Sequence, residues 1–236
     1  YLCDMLRNDY NITATEDCMD GCEVVTKEMP DLIISDIMTP RMNGIEFCQK
    51  VKSNIVTSHI PIILLTARVT LSQIKEGYDS LADDYIMKPF NPELLKVRIA
   101  NLLANRQKLR ELYAQKIVTG NFPTETVSTE DKFMAKVLDY IHSNLDNTEL
   151  SIDKFSDDIG MSRVQLYRKI KAVTGSSPSK LILDIRLKKA AELLSTTDDT
   201  VTEVSYKCGF NEVSYFGKCF KANYNISPSE YARNYR

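Results

Sequence analysis

Three residues in the first ninety could act on one phosphoryl group. Asp36 closes the apolar run that begins at Leu32, Thr66 closes the run from Ile60, and Lys88 follows the short run from Asp84 to Met87. Side chains at the C-terminal ends of parallel strands converge on one sheet edge, where open α/β folds place their sites. A carboxylate there can act as nucleophile, an ammonium can offset phosphoryl charge, and a hydroxyl can hydrogen-bond the product. Asp36 as an ordinary helix-capping acid would explain neither of the other two residues. An aspartyl-phosphate enzyme with turnover would need a general acid two residues beyond its nucleophile. That position is Met38, which moves no proton, so the set reads as a switch.

A second constellation lies near the other end. Between Arg163 and Lys189 there are eight basic residues (Arg163, Arg168, Lys169, Lys171, Lys180, Arg186, Lys188, Lys189) against one acid, Asp184. The net charge of −2 hides this concentration, which suits attraction to a phosphate backbone. Arg163, Tyr167 and Lys171 recur at a spacing of four, with Gln165 and Arg168 beside them, whereas Leu166 and Ile170 point inward. Ser151 caps a predicted helix through Ile159, Gly160 turns, and Ser162 caps a second helix over Arg163–Val173. In a helix-turn-helix unit that second helix lies in the major groove, with its N-terminal half on the base edges.

The unit is repeated. Leu166, Ile170, Lys171, Gly175, Ser177 and Pro178 reappear fifty residues later as Phe216, Phe220, Lys221, Asn225, Ser227 and Pro228. Gly and Asn are equivalent there because a helix C-terminus favours a left-handed residue just beyond it. In the second copy a helix begins near Thr202 and runs to Cys208, Gly209 turns, and a helix covers about Glu212 to Asn223.

The positioning elements follow from periodicity. The first hundred residues alternate strand-like runs (Asn11–Ala14, Asp31–Asp36, Ile60–Thr66, Asp84–Met87) with helical ones (Asp20–Lys27, Gly44–Lys52, Ser72–Ser80, Pro92 onward). That alternation predicts a parallel sheet covered on both faces. The helix from Pro92 keeps an apolar stripe through Leu109 and Leu112 to about Ile117, longer than one small sheet can cover. It is predicted to pack on a second copy or on the helical half. Gly120, Pro123 and the Thr124–Glu130 stretch read as a linker, and only helical patterns follow.

Composition is that of an ordinary globular protein, 43% hydrophobic and 26% charged over 236 residues, enough for two domains. Its longest apolar stretch is too short to span a bilayer. Cys3, Cys18, Cys22, Cys48, Cys208 and Cys219 show no disulfide or zinc spacing, with only His59 and His142 to help, so reduced thiols in a cytoplasmic setting are expected.

Residues 132–236 resemble the AraC-type DNA-binding domain. The resemblance rests on Leu166-Tyr167-Arg168-Lys169 with Thr174-Gly175, and on Gly209-Phe210, Tyr215-Phe216, Phe220-Lys221 and Ser227-Pro228-Ser229-Glu230-Tyr231. It implies two helix-turn-helix units joined by a long helix, about Pro178–Leu194. It also implies that Arg163, Gln165, Tyr167, Arg168 and Lys171 read one groove, and Ser214, Tyr215 and Lys218 the next. Asn225 and the mid-helix Gly217 depart from the usual pattern.

The first half resembles the receiver domain of two-component response regulators. Asp36-Ile37-Met38-Thr39-Pro40-Arg41-Met42-Asn43-Gly44, Leu65-Thr66-Ala67 and Asp83-Asp84-Tyr85-Ile86-Met87-Lys88-Pro89-Phe90 match its motifs. The resemblance implies a phosphoacceptor at Asp36, a switch of Thr66, Tyr85 and Lys88, and Mg²⁺ in the intact receiver held through Asp36 and the Met38 carbonyl. Receivers begin with a strand ending in two acids that complete the metal site. Counting back from Asp36 places that strand before Tyr1, and Asp4 and Asp9 are too close to replace it. The fold expected is therefore an α/β receiver, a flavodoxin-like parallel sheet lacking its first strand, followed by an all-α domain with two helix-turn-helix units. The expected boundaries are 1–104 (receiver), 105–131 (helical extension and linker) and 132–236 (DNA-binding domain). The sheet is expected to be disturbed, with the strands near Ile12 and Ile33 pairing directly, swapping or unpaired. The piece is expected neither to hold Mg²⁺ nor to take up phosphate from acetyl phosphate. The expected partners are double-stranded DNA, a histidine kinase domain in the same longer chain, a second copy and RNA polymerase.

Overall fold

The computed structural model describes residues 1–67, 81–119 and 128–236, and its chain divides into two compact units, Tyr1–Arg110 and Glu111–Arg236. The helix predicted over Ser72–Ser80 lies outside the described residues.

In the first unit, β1 (Ile33–Asp36), β2 (Ile62–Thr66) and β3 (Asp84–Met87) form a parallel sheet in the order β1-β2-β3. Ile33 pairs with Ile62 and Asp36 with Leu65, while Ile63 pairs with Asp84 and Thr66 with Met87. Successive side chains of a strand point to opposite faces, and both faces of β2 are covered. Ile62 and Leu64 pack with Val25 of α2 (Cys18–Glu28) and with Phe47 and Val51 of α3 (Gly44–Ser53). Ile63 and Leu65 pack on the other side with Leu6 of α1 (Leu2–Leu6) and with Leu95 and Ile99 of α4 (Pro92–Thr119). All four β2 side chains are almost completely buried. Each such Ile or Leu contributes about 1.5–3 kcal/mol, which accounts for the uninterrupted apolar run.

Asn11–Ala14 is not a strand. Its residues are exposed and lie in no ladder, and Ile33 pairs with Ile62 instead of with the Ile12 segment. β-Branched residues favour extended backbone, but a strand also needs a neighbour to take its N–H and C=O groups.

The second unit is helical: the end of α4, then α5 (Thr129–Ser143), α6 (Ile152–Ile159), α7 (Arg163–Thr174), α8 (Pro178–Thr196), α9 (Val201–Lys207), α10 (Val213–Tyr224) and α11 (Pro228–Tyr235). Ser128 and Asp131 form a reciprocal capping box, so α5 starts at Thr129 and takes in the last two residues of the predicted linker. Tyr113 and Ile117, the far end of the α4 stripe, are buried, and the Tyr113 hydroxyl donates to Asp131 Oδ1 at 2.7 Å. Leu109 and Leu112 of the same stripe stay exposed.

Candidate phosphoacceptor edge and nucleic-acid interface

Asp36 ends β1, Thr66 ends β2, and Lys88 follows the last residue of β3, so the three lie at the C-terminal ends of adjacent strands. The Lys88 ammonium donates to Asp36 Oδ2. The Met38 N–H donates to Asp36 Oδ1 at 3.2 Å, and the Lys88 N–H to the Thr66 carbonyl at 2.7 Å. Asp36 and Lys88 are partly exposed, Thr66 is buried, and the Met38 side chain is 80% exposed. Tyr85 is partly buried against the core shared with α2 and α3.

Two features that hold this edge escaped the sequence reading. A Cβ on Gly44 would run into the Asp36 carbonyl, so the bare glycine lets α3 start directly against the strand end. Arg41, at φ +62°, turns its guanidinium back to Asp17, the N-cap of α2, and to Asp20 at 3.0 Å. The Arg41 hydrogen bond outweighs desolvation and, with the Asp20 and Met19 N–H groups, holds the Asp17 carboxyl below its ordinary value.

The acids nearby are taken up by basic partners. Asp83 binds Lys52 and the Ile62 N–H, and Asp84 takes a two-point contact from Arg98 at 2.6 and 2.8 Å. Among the described residues no three His, Cys, Asp or Glu side chains gather as metal donors. Asp36 already has one oxygen on an ammonium, whereas Mg²⁺ asks for near-octahedral oxygen coordination.

In the helical unit both turns form as their sequences require. Gly160 is left-handed at φ +81°, and its N–H bonds the Ser156 and Asp157 carbonyls at 3.0 Å. Ser162 and Gln165 form a reciprocal capping box, so the Gln165 side chain accepts from the Ser162 N–H at 3.0 Å instead of extending outward. Leu166 and Ile170 are fully buried, as their spacing predicted, while Arg163, Val164, Tyr167, Arg168 and Lys171 lie exposed. Arg163 meets Asp153 at 3.2 Å, and the Lys171 ammonium sits 5.9 Å from the Tyr167 ring centroid.

Two of the eight basic residues do not belong to a charged surface. Lys169 is completely buried, 3.4 Å from Glu130 and 5.6 Å from the Phe133 ring centroid. Arg186 turns into the unit, donates to the Asn147 carbonyl at 2.6 Å, and is held below its ordinary pKa by burial. Lys169 falls on the Leu166–Ile170–Val173 stripe, so helical phase decides its direction whatever its charge.

The second unit turns at Gly209 (φ +72°), and its helix α10 buries Phe216 and Phe220 and exposes Ser214, Tyr215 and Lys218. A hydrogen bond with Cys219 raises the Tyr215 pKa. α10 has no side-chain N-cap bond, in contrast to α7. The C-terminal ends match: Gly175 at φ +75° and Asn225 at φ +62° both donate to the carbonyl four residues back, at 2.9 and 2.8 Å. Ser177 and Ser227 then cap α8 and α11, each with Pro at the first turn.

Two known families match separate stretches of the chain. Residues 2–100 match the response regulator receiver domain, and residues 155–234 match a helix-turn-helix domain. Histidine kinase P4 of Formosa agariphila is 39% identical over 238 residues, covering 100% of this chain and 17% of that protein. Response regulator MprA of Mycobacterium leprae is 38% identical over 96 residues, 41% of each chain. The HTH-type transcriptional regulator MtrA of Neisseria gonorrhoeae is 44% identical over 85 residues, 36% of this chain and 28% of that one. The chain thus spans less than half the length of each of these relatives. The Asp36–Lys88 pair lies inside the region that matches the response regulator receiver domain, and both exposed helix faces lie inside the region that matches a helix-turn-helix domain.

Proposed function

We propose that the chain is the output portion of a phosphorylation-controlled transcription regulator that binds DNA sequence-specifically. The observation that carries this reading is the paired construction of α7 and α10. Matched left-handed caps close both helices, and each presents polar and aromatic side chains with no core role. Arg163, Tyr167, Arg168 and Lys171 read one stretch of major groove, and Ser214, Tyr215 and Lys218 the next. Gln165 joins them only if it leaves its capping box.

Selection of bound sequences from random DNA with the 236-residue chain tests this. Arg168→Ala is expected to cost about 1–3 kcal/mol at one base position and relax preference there, whereas Lys189→Ala weakens all sequences alike. Equal losses on selected and random DNA for both variants would count against the groove assignment.

Asp36 is the phosphoacceptor in this reading, with Lys88 on the phosphoryl charge and Thr66 and Tyr85 as the responding pair. The likeness to histidine kinase P4 supports a histidine kinase domain as the phosphoryl donor. The chain acts as a switch without turnover, since Met38 offers no proton. With Asp36 as the one carboxylate at this sheet edge among the described residues, the 236-residue chain is expected to take little label from acetyl phosphate. Stoichiometric label lost in Asp36→Asn would reverse that expectation and support the phosphoacceptor assignment.

A further inference from the structure

Arg186 lies in the middle of α8, the helix on which both reading units pack, α7 from one and α9 and α10 from the other. Its Nη2 donates to the Asn147 carbonyl at 2.6 Å, in the loop that leads from α5 into the first unit. The same guanidinium lies against the turn of the second unit. A Cβ on Gly209 would meet Arg186 Nη2 at 2.6 Å and Cζ at 2.8 Å, and would collide with the Leu145 carbonyl. One planar cation therefore joins a loop of the first unit, the turn of the second and the helix between them.

The arrangement costs something. Arg186 Nε is buried and has no hydrogen-bond partner among the described residues, a penalty that a solvent-facing basic residue would avoid. A cleft of about 470 Å³ opens beside the contact, lined from one unit by Thr148 and from the other by Asn211 and Tyr215. The guanidinium thus borders an open cleft. The relative angle of the two units matters because each added base pair turns the next groove segment by roughly 35°.

We infer that Arg186 is a positioning residue for DNA reading: through Asn147 and Gly209 it fixes the angle between α7 and α10, and so the spacing of the two DNA segments the chain accepts. The inference rests on the DNA-binding function proposed above.

The test uses the whole 236-residue chain and the sequence it selects. Variants of that site carry one or two base pairs inserted or removed between the segments read by α7 and α10, or keep one segment only. The unaltered chain is expected to lose roughly tenfold or more for a one-base-pair change. Arg186→Met is expected to bind all spacings within about threefold of one another, and each single segment within about twofold of the unaltered chain. Arg186→Lys keeps a cation that can reach the Asn147 carbonyl and should restore part of the discrimination. A role confined to stability would instead lower binding to every site together. Sharp spacing preference retained in Arg186→Met, or a uniform loss on all sites, overturns the inference. If Arg186→Met does not unfold cooperatively, Arg186→Gln is judged by the same criteria. A chain that does not separate selected from random DNA would overturn the DNA-binding function itself, and this inference with it.

Discussion

The Lys169 ammonium lies 3.4 Å from the Glu130 carboxylate, and the whole lysine side chain is buried on the inner face of α7. Breaking a buried ion pair from one side typically costs about 3–5 kcal/mol, because the remaining charge has already given up water. Glu130 keeps some exposure, 18% of its side chain, so Glu130→Gln should fall at or just below the low end of that range, about 2–3 kcal/mol. Lys169→Met removes the desolvated charge and leaves an apolar chain beside Phe133, and should cost less than half as much. Urea unfolding of both variants decides it. Equal losses would mean that packing, and not charge, sets the energy of this contact.

Two glycines should respond to alanine with opposite signs. Gly44→Ala drives a methyl group into the Asp36 carbonyl, and overpacking of this kind costs about 1–3 kcal/mol. Among the described residues, nothing lies within 4 Å of where a Cβ on Gly217, in mid-α10, would be. Alanine there should stabilise the chain by up to about 1 kcal/mol through helix propensity alone. Thermal unfolding monitored separately for the two units reads both, and a destabilised Gly217→Ala would reveal a contact that the open space does not suggest.

Tyr113→Phe removes the hydroxyl that donates to Asp131 and should cost about 1–2 kcal/mol near neutral pH. Burial pushes the Asp131 carboxyl up, but hydrogen bonds from Tyr113 and Ser128 outweigh it and hold the group below its ordinary 3.8. A carboxyl lowered by folding gives stability that is fully present above its unfolded value and is lost as pH falls through the folded one. The gap between parent and Tyr113→Phe should therefore be constant from neutral pH to about 5 and shrink below the ordinary 3.8. A gap unchanged down to pH 2.5 would rule out the carboxylate as the partner that matters.

Much of this was legible because the signals were local and repeated. A strand buried on both faces must be apolar throughout, so Ile62–Thr66 stood out, and the acid and hydroxyl closing β1 and β2 marked the sheet edge. Gly175 and Asn225 revealed the duplication because few residues tolerate a left-handed cap. Other features needed three dimensions. Asn11–Ala14 has strand-like residues but no neighbour to pair with. Lys169 belongs by charge to the basic run, although its place three residues after Leu166 and one before Ile170 puts it on the buried stripe. Gln165 stands three residues after Ser162, the capping-box spacing, and that signal was as plain as the groove-facing one. Arg186 carried no local sign, since its partners at Asn147 and Gly209 are distant in sequence.

The matched caps of α7 and α10 also bear on how such a regulator could change its target. Gly160, Gly175 and Asn225 fix where helices end, and Leu166, Ile170, Phe216 and Phe220 fill the interior. Arg163, Tyr167, Arg168, Ser214, Tyr215 and Lys218 do neither, being exposed between those fixed points. On the proposed function, substitutions at these six positions would alter the DNA address while leaving the folding instructions untouched. In that reading, mutational drift would explore new operators one helix at a time, with the other helix keeping the protein on its old site until the new one binds.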